Sequence, residues 1–115
     1  MDKKLFKAID KTIRREQLYK QDKLSRTLIA VRFGVGRHHL NKLLNEFADG
    51  KSFPQYINAI RLEKAFEMLT YHPEMSIGEV AFEVGVTPPN LRECFKRCYG
   101  LTPGEYRAGI FDEDV

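Results

Sequence analysis

Apolar residues recur at helical spacing along the whole chain, and no stretch sustains the alternation of a half-buried strand. Leu5, Phe6, Ile9 and Ile13, with Leu18 near the end, form one stripe and predict a first helix over about residues 3–19. Asp22 and Ser25 are candidate caps for a second helix, which carries Leu28, Ile29 and Phe33 and is stopped by Gly34. A third helix is expected from about Arg37 to Phe47, with Leu40, Leu43, Leu44 and Phe47 on one side. Residues 48–52 read as a loop. Ser52 then caps a long helix that has Pro54 in its first turn, where the missing N–H costs nothing. That helix runs through Tyr56, Ile57, Ile60, Ala65 and Leu69 to about Thr70, roughly 25 Å at ~1.5 Å per residue. Tyr71-His72-Pro73 ends it. Ser76 with Glu79 forms a capping-box pattern for a short helix from Ile77 to Val84, which Gly85 stops. Another helix is expected from about Pro88 to Tyr99, ended by Gly100. Thr102 caps a last one, with Pro103 at its first position, that reaches about Ala108; Phe111 to Val115 are expected to fray.

The pattern repeats at an offset of 51 residues. Ile29-Ala30-Val31-Arg32-Phe33-Gly34-Val35, followed by Leu40, Leu43, Leu44 and Phe47, returns as Val80-Ala81-Phe82-Glu83-Val84-Gly85-Val86, followed by Leu91, Cys94, Phe95 and Cys98. Two helices that cross steeply approach closely, and Ala30 or Ala81 is small enough for the crossing. The turn between them needs a positive φ, which Gly34 or Gly85 adopts without steric cost. Val35 and Val86 plug the turn into the core, and Leu40 with Leu43, or Leu91 with Cys94, hold the second helix down. This is the pattern of a helix-turn-helix, whose second helix presents its other face toward a DNA major groove. The similarity continues past the units: Gly50-Lys51-Ser52-Phe53-Pro54-Gln55-Tyr56 parallels Gly100-Leu101-Thr102-Pro103-Gly104-Glu105-Tyr106.

Over nearly its whole length the sequence resembles the DNA-binding domain of the AraC/XylS transcription regulators. The resemblance rests on Leu40 to Leu44, on Ile60-Arg61-Leu62-Glu63-Lys64-Ala65, and on Ser76-Ile77 through Ala81. Most diagnostic is Phe95-Lys96-Arg97-Cys98-Tyr99-Gly100-Leu101-Thr102-Pro103-Gly104-Glu105-Tyr106-Arg107. It implies an all-α fold of about seven helices: two helix-turn-helix subdomains, residues 1–53 and 71–115, joined by a linking helix, residues 54–70. The implied function is sequence-specific binding of double-stranded DNA for transcription regulation, with a recognition helix of each subdomain in the major groove about one DNA turn (roughly 34 Å) from the other. RNA polymerase is a further expected partner, and an effector or dimerisation domain is expected outside this stretch. Between Gly85 and Phe95 the chain departs from the family. It carries Val86-Thr87-Pro88-Pro89-Asn90-Leu91-Arg92-Glu93-Cys94, one residue fewer than usual and without the usual aromatic.

Charge is polarised along the chain. The net charge is only +3, but residues 1–26 hold nine Lys/Arg (Lys3, Lys4, Lys7, Lys11, Arg14, Arg15, Lys20, Lys23, Arg26) against four acids. The acids gather at Glu63, Glu67, Glu74, Glu79 and Glu83 and at Asp112, Glu113 and Asp114. A basic amino-terminal face can thus lie near phosphates while an acidic side faces away. On the expected first recognition helix the outward residues are Arg37, His38, His39, Asn41, Lys42 and Asn45. Arg can pair with guanine and Asn with adenine through two bonds each, and Lys42 suits either a base or a phosphate. The second offers Thr87, Asn90, Arg92, Lys96 and Arg97, but starts with Pro88-Pro89, which lack N–H groups, and places Glu93 where phosphates would repel it. Base reading is therefore expected mainly from the first unit. Arg61 and Lys64 on the linking helix are expected to be structural or to face phosphates.

The 43% apolar share is that of a folded globular protein, and no apolar run reaches the ~18–20 residues of a membrane span. A soluble, cytoplasmic chain without a secretory signal is expected. Cys94 and Cys98, four apart on one helix face, read as small buried or half-buried apolar side chains rather than a disulfide. His38, His39 and His72 have no companions at metal spacing, and no cofactor, metal or catalytic constellation is expected. The competing reading is a helical protein-interaction module that has kept the fold and lost DNA binding. The shortened turn, Pro88-Pro89 and the low net charge speak for it, and salt-dependent DNA binding separates the two.

Overall fold

A computed structural model describes residues 2–112, and the side chains of all of these except 22–25 and 110–112. Among the described residues there are seven α-helices and a short 3-10 turn, and no strand. The helices are α1 (Asp2–Arg15), α2 (Asp22–Phe33), α3 (Arg37–Phe47), α4 (Phe53–Tyr71), α5 (Ile77–Val84), α6 (Pro88–Tyr99) and α7 (Pro103–Asp112), with the 3-10 turn Leu18–Lys20 between α1 and α2. The chain divides into two compact units, one running to Ile60 and the other starting at Arg61, so the division falls inside α4.

The first unit closes over Ile9, Ile13, Tyr19, Ile29, Val35, Leu40, Leu43, Leu44, Phe53, Tyr56, Ile57 and Ile60, all buried, with Phe6 and Phe47 packed against them. The second closes over Ala65, Leu69, Val80, Ala81, Val84, Leu91 and Phe95, with Leu62, Phe66, Ile77, Val86 and Tyr106 around them. Each helix-turn-helix turn is three residues long. Gly34 (φ 65°) ends α2 and Gly85 (φ 86°) ends α5, both in the left-handed region where a Cβ is strained.

Three hydroxyl residues among those described cap helices reciprocally. Ser76 Oγ accepts from Glu79 N at 3.0 Å while Glu79 Oε1 accepts from Ser76 N at 2.9 Å. Ser52 with Gln55, and Thr102 with Glu105, repeat the arrangement at the starts of α4 and α7. The carboxyls of Glu79 and Glu105 are held below the usual carboxylate range by these backbone N–H groups and the hydroxyls.

Several sequence expectations need correction. The first helix stops at Arg15, not near Tyr19, because Gln17 takes a left-handed conformation (φ 56°) and starts the 3-10 turn that buries Tyr19. Gln21 occupies the N-cap of α2, so Asp22 and Ser25 lie inside the helix; their side chains are outside the described residues. α7 continues to Asp112, so Phe111 is helical, while residues 113–115 lie outside the description. Ala81 is fully buried, as a helix crossing requires, but Ala30 is only half-buried and Ile29 beside it takes the core position. Cys94 is half-buried as expected, whereas Cys98 is exposed; both are free thiols.

A second internal correspondence emerges from the packing. In the first unit the Tyr56 hydroxyl donates to Asp10 Oδ1, and the Tyr56 ring lies 5.8 Å from Phe6. In the second, the Tyr106 hydroxyl bonds Thr70 Oγ1 at 2.7 Å and its ring lies 4.8 Å from Phe66. Phe6 and Phe66, Ile9 and Leu69, Asp10 and Thr70 are each 60 apart. The carboxyl-terminal part of α4 thus does in the second unit what α1 does in the first. Its amino-terminal part does in the first what α7 does in the second.

Candidate nucleic-acid interface

α3 forms as a helix because its apolar residues fall on one side. Leu40, Leu43 and Leu44 are buried and Phe47 stacks on Phe6 at 5.7 Å, which fixes the helix's rotation. At 3.6 residues per turn the side directly opposite carries His38, Lys42 and Asn45, with Asn41 and Glu46 at its two edges, all exposed. Arg37 and His39 are exposed on the two flanks. His39 turns toward α1, with Nε2 4.0 Å from Asp2 Oδ1. The helix starts at Gly36 in extended conformation (φ −78°, ψ 177°), and no side chain caps it. Its first N–H groups therefore stay open to an anion such as a phosphate.

α6 is built the same way and presents different chemistry. Leu91 and Phe95 are buried and Cys94 is half-buried on its inner side. Its outward side carries Pro89, Glu93 and Lys96, flanked by Arg92 and Arg97. Glu93 and Arg97 form an i,i+4 ion pair at 3.6 Å, so the carboxylate expected to repel phosphates is held by its own helix. Thr87 is the N-cap, its Oγ1 accepting from Asn90 N at 3.3 Å. Asn90 Oδ1 in turn accepts from the Cys94 thiol at 3.5 Å. Both polar residues at the start of α6 are thus tied to the helix's own groups. Arg92 and Lys96 are exposed, four apart.

The structure places the sequence-predicted residues in two sets, six on α3 and five at the start of and along α6. Of the two linking-helix cations, Arg61 is half-buried and Lys64 pairs with Glu67 at 3.5 Å. Two exposed apolar side chains 51 apart, Val31 on α2 and Phe82 on α5, are missed by the pattern; they are exposed by 77% and 80%. The position they share is visible in the repeat, but an apolar residue there reads as core. Among the described residues no group of three or more His, Cys, Asp or Glu is arranged to hold a metal, and no helix is long and apolar enough to cross a membrane.

Two such helix pairs, each with an outward polar helix over a buried leucine- and phenylalanine-rich stripe, define a double helix-turn-helix. The sequence matches the helix-turn-helix domain family over residues 29–109, and the chain belongs to the DNA-binding domains of the AraC/XylS type. It is 36% identical over 85 residues to the HTH-type transcriptional regulator GlxA of Rhizobium meliloti, covering 73% of this chain and 26% of that protein. It is 39% identical over 88 residues to the uncharacterized HTH-type transcriptional regulator YpdC of Escherichia coli, covering 74% and 30%. With the uncharacterized transcriptional regulatory protein YesN of Bacillus subtilis it shares 35% identity over 71 residues, covering 60% and 19%. The chain therefore spans less than a third of the length of these relatives. No solved structure matches it.

Proposed function

We propose that this chain is the operator-reading part of a transcription regulator, with α3 reading bases and α6 mainly holding the phosphate backbone. The observation that carries the assignment is the contrast between the two outward faces. α3 sets hydrogen-bonding side chains, His38, Asn41 and Asn45, around Lys42, with Arg37 at its uncapped start. α6 sets Arg92, Lys96 and Arg97 around an ion-paired Glu93, behind two prolines. An amide reads a base edge by donating and accepting at once, and α3 carries two where α6 carries Arg and Lys, which suit a phosphate as readily as a guanine. His39, with Asp2 beside it, and Thr87 and Asn90, tied into the helix start, are assigned a supporting part at the interface.

In this reading residues 54–70 connect the reading parts 1–53 and 71–115, and one chain covers two successive major-groove segments. The chain carries no catalytic step and works in the cytoplasm. RNA polymerase and an effector or dimerisation domain are partners of the whole regulator, and the relatives' greater length leaves room for such a domain. The test is selection of bound duplexes from a random pool, followed by footprinting of the selected site. Enrichment of a motif with two blocks supports the reading. A salt-insensitive chain that enriches nothing refutes it and leaves the protein-interaction module.

A further inference from the structure

α1 is two-sided. Leu5, Phe6, Ile9 and Ile13 turn inward, and Ile9 and Ile13 are fully buried. At 3.6 residues per turn the opposite side carries Lys3, Lys4, Lys7, Lys11, Arg14 and Arg15, with Ala8 the one uncharged residue among them. Lys3, Lys7, Lys11 and Arg15 are all exposed and stand one i,i+4 step apart, in a row about 18 Å long at ~1.5 Å per residue. Arg14, off this row, is half-buried with its Nε on Asp10 at 2.9 Å. Among the described residues no carboxylate forms an ion pair with Lys3, Lys4, Lys7 or Lys11.

Like charges four apart repel each other, so this row works against the free helix and a polyanion laid along it relieves the repulsion. Over about 18 Å one strand of duplex DNA presents roughly five phosphates, which matches a row of four cations in both length and charge. The row also starts in the right place. Asp2 lies 4.0 Å from His39 in the first turn of α3, the end of a recognition helix that meets base edges. An anionic membrane fits less well. A helix lying on lipid needs an exposed apolar face, and here that face is buried against α3 and α4.

We propose that the Lys3-Lys7-Lys11-Arg15 row of α1 is a phosphate clamp that engages the DNA backbone flanking the segment read by α3. The proposal rests on the reading of α3 as a recognition helix. It adds a contact surface outside both helix-turn-helix pairs, one that binds DNA without regard to sequence.

The test uses the full chain and a Lys7→Gln/Lys11→Gln double variant. The probes are the selected duplex with long flanks, the same duplex trimmed to the enriched motif alone, a scrambled long duplex, and vesicles containing anionic lipid. Each phosphate contact contributes about 0.9 to the slope of log affinity against log salt. Removing two should shrink the loss of affinity between about 50 and 200 mM salt by about tenfold. The clamp predicts that change on both long duplexes, with no change in base preference and little difference between parent and variant on the trimmed duplex. It also predicts a melting temperature of the free variant equal to or above the parent's, since a repulsion is removed. A variant with the parent's affinity and salt slope on the long duplex overturns the clamp. So does an equal deficit on the trimmed duplex, a lowered melting temperature, or a deficit confined to vesicles. Those results leave the α3 reading standing, whereas a parent chain that shows no salt-dependent duplex binding removes both.

Discussion

The difference between Ala30 and Ala81 turns the sequence repeat into a quantitative test of the packing. Both occupy the same place in the 51-residue repeat, which by itself puts both at a tight helix crossing. In the structure Ala81 is fully buried among the side chains that close the second unit, whereas Ala30 is half-buried beside the core residue Ile29. Leucine at 81 would force three extra carbons into a filled site, and overpacking of that kind costs about 1–3 kcal/mol. Leucine at 30 can extend toward solvent, where substitutions stay within about 0.5 kcal/mol. For units of this size one kcal/mol moves the midpoint by about 4–8 °C, so Ala81→Leu should lower it by roughly 4–24 °C and Ala30→Leu by a few degrees at most. Thermal unfolding followed by circular dichroism measures both. Amide exchange then localises the damage, which should lie from Arg61 onward. Equal losses for the two variants, or an Ala81→Leu chain as stable as the parent, would show that the crossing has been placed wrongly.

Arg37→Ala or Asn41→Ala should relax preference at particular base pairs, by about 1–3 kcal/mol for each bidentate pairing removed, in titrations against single-base variants of the selected site. Lys96→Ala should weaken binding to all sequences and lower the salt slope by about one per phosphate contact; if instead it changes base preference while Arg37→Ala only scales affinity, the roles of α3 and α6 are exchanged. Stability should fall as pH drops through and below the usual carboxylate range. Glu16, hydrogen-bonded by Arg32, and the capping carboxylates Glu79 and Glu105 are all held below their ordinary values; the stability they give is present above the unfolded value and lost as pH falls through the folded one. Glu79→Gln keeps an acceptor for Ser76 N, so chemical unfolding between about pH 6 and 3 should show a shallower acid decline than the parent's.

Most of the fold was legible because the residues that decide it act locally. Gly34 and Gly85, the caps Ser52, Ser76 and Thr102, and Pro103 mark helix ends through their own backbone preferences, and the end of α2, the starts of α4 and α7 and both ends of α5 fall where those signals put them. The break after α1 was not legible. It is made by Gln17 in a left-handed conformation, without the glycine or proline that announces a turn, and it is held by the burial of Tyr19. Nor was the correspondence at offset 60, because beside the shared Phe6 and Phe66, which meet the ring of a closing tyrosine, Asp10 and Thr70 share only the task of meeting its hydroxyl. A carboxylate and a threonine look unrelated in sequence, yet either accepts a phenol hydrogen bond. The candidate site was legible as a set of outward positions, but not in how its members are tied. Thr87 before Pro88 and Glu93 four before Arg97 carry the signals of a cap and an ion pair, but reading the outward positions one by one passes over both.

The two helices α3 and α6 are alike in fold and unlike in chemistry, and positions 51 apart show how. Asn41 corresponds to Arg92, Lys42 to Glu93, Asn45 to Lys96, and Arg37-His38 to Pro88-Pro89. On the inward side the same comparison gives Leu40 and Leu91, Leu43 and Cys94, Leu44 and Phe95, apolar throughout. The packing requirement has therefore held the inner side to one chemistry, while the outer side differs at every reading position. Two amides on α3 give way to two cations on α6. A side chain that both donates and accepts at fixed geometry suits adenine, whereas Arg and Lys only donate and serve a phosphate as readily as a guanine. Two prolines also remove N–H groups at the start of α6 that could otherwise hold a phosphate, and the proposed assignment gives that work to Arg92 and Lys96 farther along the helix. On the proposed assignment specificity and affinity are carried by different units: exchanging the outward residues of α3 should move the target sequence, whereas exchanging those of α6 should change how much salt the complex survives.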